Sequence, residues 1–159
     1  MDRPQTASVE LSMQRLGKIA RIAALATACL CAVTLTASAA PARPPALDTA
    51  RQALVKAIAK HDWNAVAALT NFPLAVEVYG TPPKLTKAQY LKDHRKLTVF
   101  FGDGDKDLLK CVGTGQLAFQ TDQTQFGGRG WYADCNGNEF YFGERAGKWL
   151  FTAYQNINE

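Results

Sequence analysis

Hydrophobic and polar positions follow two different periods along this chain. Leu47, Leu54, Val55 and Ile58 recur at helical spacing, which predicts a first helix from Asp48, a capping residue, to about Lys60. His61 and Asp62 break the pattern, and Asp62 can cap a second short helix with Trp63, Val66, Ala67 and Thr70 on one face. Phe72-Pro73 closes that helix, because a residue before proline avoids the helical region. Leu74, Val76 and Val78 then alternate with Ala75, Glu77 and Tyr79, the period of a strand, and Gly80 to Pro83 is a turn. A third helix opens on a capping box, Thr86 to Gln89, with Leu85 and Tyr90 placed as a hydrophobic staple. It is predicted to run to Phe101, where Gly102 can end it, with a turn over Asp103 to Asp107.

The C-terminal half reads as strands: Gln116 to Thr121, Gly130 to Cys135, Glu139 to Gly143 and Lys148 to Ile157. Asn136-Gly137 is a hairpin signal, since both central positions of a type I′ turn need positive φ. Arg145 to Lys148 is a second turn. Helices first and strands afterwards predict an α+β domain, with N-terminal helices packed on a curved antiparallel sheet.

The first 39 residues have a different character. Arg15, Lys18 and Arg21 precede an apolar run from Ile22 to Leu35, and Ala37-Ser38-Ala39 gives a small-x-small cleavage pattern. The run falls short of the roughly 20 residues a membrane-spanning helix needs, so no stable span is expected. The expectation is a cleaved signal peptide over 1–39, a mature start at Ala40, an extended proline-containing lead-in over 40–47 and a single domain over 48–159. The start is Met1 or Met13, a choice the sequence leaves open. Cys29 and Cys31 raise lipidation as the rival, against which Ala26 stands where a leucine is usual.

Removing the leader changes the charge picture. The whole chain carries +4, but residues 40–159 hold 14 basic and 12 acidic side chains, a net +2, which gives no nucleic-acid footprint. Cys111 and Cys135 remain, and two cysteines in an exported domain read as one disulfide. Closing that 25-residue loop is worth about 3.5 kcal/mol on the loop-entropy model.

Two helices, then NFPLAV (71–76), LTKAQYLKDH (85–94) and a closing strand GKWLFTAYQNIN (147–158) resemble the nuclear-transport-factor-2-like superfamily, in particular its small exported bacterial members. The Phe-Pro after the second helix and the terminal Gly-Lys-Trp carry most of the likeness. The resemblance implies a curved antiparallel sheet wrapped around a long helix, leaving a conical cavity. Some members are enzymes, which tend to pair a carboxylate with a histidine or tyrosine inside the cone, and many only bind ligands or partners.

Candidate chemistry is sparse. Tyr90, His94, Leu97 and Phe101 share a helical face, so His94 is the ionisable group placed to look into an apolar pocket. Glu77 and Asp134 alternate away from apolar neighbours and supply no carboxylate partner for it. His61 suits a helix end. Asp103, Asp105 and Asp107 have the first spacing of a calcium loop, but Leu108 and Thr114 occupy the places of its glycine and its glutamate. Gly113-Thr-Gly115 is turn material. No phosphate loop, dinucleotide fingerprint or nucleophile elbow is present, so no cofactor or metal is expected. Phe126-Gly-Gly-Arg-Gly-Trp131 presents Arg129 beside Phe126 and Trp131, residue types that dominate interface hot spots, on a mobile glycine-rich loop.

The expectation is a periplasmic, non-catalytic binding domain with a protein partner or small ligand, its contacts drawn from Phe126, Arg129, Trp131, Tyr90 and His94. One concrete form is an immunity-type inhibitor of a periplasmic toxin. The alternative is a small cone-pocket isomerase, dehydratase or hydrolase using His94. No oligomeric state is written in these patterns.

Overall fold

The structure is a computed structural model that describes residues 41–158; the signal peptide expected over 1–39 lies outside them. The elements are α1 (Pro45–Ala59), α2 (Trp63–Ala68), β1 (Thr70–Glu77), β2 (Lys84–Leu85), α3 (Lys87–Lys92), α4 (Arg95–Thr98) with a 3₁₀ turn (Val99–Phe101), α5 (Lys106–Thr114), β3 (Ala118–Gln120), β4 (Gly130–Cys135), β5 (Asn138–Arg145) and β6 (Lys148–Asn156). The fold is α+β. Among the described residues, no helix is long and apolar enough to cross a membrane.

The six strands form one sheet in the order β2-β1-β6-β5-β4-β3. It is mixed, not antiparallel throughout: β1 runs parallel to β6. A parallel neighbour requires a long crossover, and here α3 to α5 and the β3–β5 strands intervene between β1 and β6. β3 to β6 are an antiparallel meander, as their alternation predicts. Its turns are formed by Asn136 and Gly137 (φ 56° and 80°) and by Ala146 and Gly147 (φ 48° and 73°).

Four departures from expectation in the helical half have clear physical reasons. First, α1 begins at Pro45, the position where proline's missing N–H costs nothing, so Asp48 lies in its first turn and pairs with Arg43 and Arg51. The extended lead-in ends at Pro44. Second, α2 stops at Ala68 and β1 starts at Thr70, before Phe72-Pro73, because Leu69 already accepts a hydrogen bond from Phe151 of β6. Pro73 follows a cis peptide and sits where the β1–β6 register shifts, a place where no ladder donor is needed.

Third, the long third helix is broken. Thr86 and Gln89 form the capping box, but Asp93 turns extended (φ −151°, ψ 100°) and its carboxylate accepts from Arg95 N–H, so the side chain competes with the helix for the backbone. Gly102 ends the 3₁₀ turn in the left-handed region (φ 58°). Fourth, α5 fills what reads as turn material. Asp105 caps it by accepting from Leu108 N–H, and Gly113 is helical: a Cβ there would meet Val55 of α1 at 3.0 Å.

The helices pack on one face of the sheet. The space between is filled by rings: Phe101 lies 4.9 Å from Phe140 and 5.4 Å from Phe151, and Phe100 stacks on Tyr154 at 4.4 Å. Each such pair adds about 0.5–1.5 kcal/mol beyond its area burial.

Candidate functional site

Two places gather the residues with chemistry. The first is the corner between α1, α2 and α3. His61, in the left-handed region (φ 57°) just past α1, stacks on Trp63 at 5.2 Å, and His94, at the start of α4, stacks on the same indole at 5.2 Å. Both histidines of the chain thus meet one tryptophan. Tyr90 tilts against His94 at 5.1 Å and stacks on Phe72 at 5.5 Å. The contact between Tyr90 and His94 survives the helix break, although the continuous face that predicted it does not.

Polar groups in this corner are engaged with one another. The Tyr90 hydroxyl donates to the Trp63 carbonyl at 2.9 Å, and burial, with help from the charge of Asp62, pushes its pKa up to about 12. A recess of about 210 Å³ beside the stack is lined by His61, Trp63, Arg95, Thr98 and Asp103. Asp103 accepts from the Thr98 hydroxyl at 3.2 Å and lies 3.7 Å from Arg95. The Tyr90 hydroxyl thus ties α3 to the start of α2.

The second place is the 121–129 loop between β3 and β4. It is not free to swing. Gln120 donates from its side-chain amide to the Phe126 and Gly128 carbonyls at 2.7 and 2.8 Å. Gly127 (φ 78°) lies flat on Tyr141, where a Cβ would fall 2.2 Å from the ring. Phe126 meets Tyr141 edge-on at 5.6 Å. Tyr141 is itself buried and hydrogen-bonded to Glu139; burial first, then that bond, raises its pKa.

Within this loop the predicted residues separate. Arg129 is exposed, with its guanidinium 5.9 Å from the centre of the Phe119 ring. Trp131 is instead 7% exposed and packs on Phe119 at 5.0 Å from the core side of β4. Its alternation with Ala133 and Cys135, both buried, turns it inward. The loop therefore offers Arg129 and the half-buried Phe126.

The remaining candidates have structural duties. Cys111 and Cys135 are bonded, with Cα atoms 6.0 Å apart, tying α5 to β4. Such a bond suits an oxidising compartment. Glu77 and Asp134 are exposed, and Asp134 accepts from Gly137 N–H at 2.8 Å in the hairpin. Among the described residues no group of three or more His, Cys, Asp or Glu is disposed to hold a metal ion.

Arg51 escaped the sequence reading. It is 1% exposed and donates to the Val112 carbonyl at 2.8 Å, to Gly115 at 3.0 Å and to Cys111 at 3.4 Å, so a guanidinium from α1 satisfies the last carbonyls of α5. The signal was present: Arg51 falls at helical spacing from Leu47, Leu54 and Ile58, on the apolar face.

No protein-family model, no curated protein and no solved structure matches this chain.

Proposed function

We propose that this protein is an exported, non-catalytic binding domain of the bacterial periplasm that meets a protein partner through the 126–129 loop. An immunity-type inhibitor of a periplasmic toxin is one concrete form of that activity. The reading includes membership of the nuclear-transport-factor-2-like superfamily, as a member whose cone is closed by its own rings.

One observation carries the proposal: Arg129 is exposed on a loop already fixed by Gln120 and Tyr141. A loop backbone held in place before binding loses little entropy when a partner arrives. Arginine is also one of the residue types enriched at interface hot spots. The aromatic filling between sheet and helices supports the same reading, because it directs binding to the surface. The alternative enzyme needs His94 to face a working acid or base. Its ring neighbours are Trp63 and Tyr90, and the Tyr90 hydroxyl is committed to a carbonyl. The Cys111–Cys135 bond and the leader pattern support export.

A photo-crosslinking residue at position 129, in the protein expressed in its own periplasm, should give a discrete adduct of defined mass. The same residue at exposed Lys60 of the α1 end should not. Equal adducts at both positions, or none at 129, would sink the proposal.

A further inference from the structure

The opposite edge of the sheet from the 126–129 loop carries a second recess. It lies between β1, β2, the 81–82 turn and the end of α4, with a volume of about 210 Å³. Val76, Leu85 and Phe100 line it, and all three are core residues that present apolar surface there. The Phe100 ring is fixed by its stack on Tyr154 (4.4 Å, 17° between planes), so the apolar wall is rigid. Val99, 54% exposed, belongs to the same lining.

Both charged side chains in the lining are cations. Lys84 and Lys96 are both exposed. Gln89 uses its Oε1 to accept from the Thr86 backbone N–H at 2.8 Å and from the Thr86 hydroxyl at 2.9 Å, which leaves its amide N–H groups as what it can offer. The Thr81 hydroxyl gives its proton to the Val78 carbonyl at 2.8 Å, so towards a ligand it is a neutral acceptor. None of the lining residues is acidic. An apolar wall with two ammonium groups and an amide donor is complementary to an anion carrying an apolar body.

Size narrows the class further. The recess exceeds the roughly 150 Å³ cavity that admits benzene and is smaller than the roughly 300–1,000 Å³ of drug-sized sites. We propose that this recess binds a small apolar carboxylate, on the order of ten heavy atoms, with its hydrocarbon against Phe100 and Leu85 and its carboxylate met by Lys84 and Lys96. This is a site for a small molecule, separate from the loop proposed for the protein partner, and it stands or falls independently of that reading.

The test is an NMR titration of the whole chain at low salt with three probes of one length: octanoate, 1-octanol and octylammonium. Octanoate should saturate with Kd of about 0.1–1 mM, in keeping with the modest energy a ligand of this size gains per atom. Its shifts should centre on the amides of Val76, Leu85 and Phe100. The alcohol should bind at least about fivefold more weakly, and octylammonium should not saturate. A Lys84→Gln/Lys96→Gln double variant should weaken octanoate about fivefold and leave the alcohol unchanged. Val99→Trp, at an exposed position where folding is not at stake, should weaken both. Equal affinity for octanoate and the alcohol, octanoate shifts centred elsewhere, or an unaffected double variant would overturn the proposal.

Discussion

The two flanks of the helical layer are secured by different physics. On the α5 flank two specific tethers add to the packing: Arg51 closes the carbonyl end of α5 from α1, and Cys111–Cys135 bonds α5 to β4. On the α3–α4 flank the helix is broken at Asp93, and the corner is held by a series of ring contacts, Phe72 to Tyr90 to His94 to Trp63 to His61. Concentrated locks fail all at once when one member is removed. Distributed contacts lose a little at a time. The difference also says where specific chemistry is to be sought. His94 belongs to a packed corner whose phenol is engaged, whereas Arg129 stands exposed on a loop pinned to the sheet.

Arg51→Met should produce the largest stability loss, about 3–5 kcal/mol by denaturant unfolding, because it leaves the Val112 and Gly115 carbonyls at the end of α5 without their buried donor and removes one of the two cations paired with Asp48. A loss under about 1 kcal/mol would show that the α5 flank is not locked by this group. Cys111→Ala/Cys135→Ala should follow, at about 3.5 kcal/mol, and reductant should move the parent protein by a similar amount and leave the double variant unmoved.

The other flank should yield more gently. Tyr90→Phe should cost about 1–2 kcal/mol at neutral pH, since the Trp63 carbonyl loses its donor. The sign of the pH effect follows from the raised pKa. The folded state holds the phenol proton more tightly than the unfolded chain, in which it titrates near 10.0. The stabilisation is complete below pH 10 and is lost as pH rises towards 12. Unfolding followed across that window should fall less steeply for Tyr90→Phe than for the parent; parallel curves would contradict the assignment. His94→Gln should cost about 1 kcal/mol or less, the worth of one or two ring contacts.

The same contrast explains what could be read from the residues alone. In the meander, alternation and turn chemistry agree locally: β4 spans Gly130–Cys135 as expected, and Asn136-Gly137 takes the two positive φ values its turn demands. The inward turn of Trp131 was also written in that alternation. The helical layer mixes local and longer-range causes. Asp93 takes Arg95 N–H two residues on, a local competition masked by the strong capping box at Thr86. Gly104, Gly113 and Gly115 disguise α5, although Gly113 is present for close packing on Val55. The parallel pairing of β1 with β6 joins residues more than 70 positions apart, which no window of sequence contains. Of the candidate site, the pairing of Tyr90 with His94 and the exposure of Arg129 were legible. The meeting of both histidines on Trp63 was not, since it depends on how α1, α2 and α4 converge.

The central claim is that this domain acts through Arg129 and not through His94. Arg129→Ala should melt within about 0.5 kcal/mol of the parent, as an exposed side chain on a loop pinned by other residues. Measured against the partner trapped by crosslinking, its affinity should fall by about 2 kcal/mol, some thirtyfold. His94→Gln, in the same assay, should bind like the parent. An Arg129→Ala protein that binds at full strength beside a His94→Gln protein that has lost its activity would contradict the account.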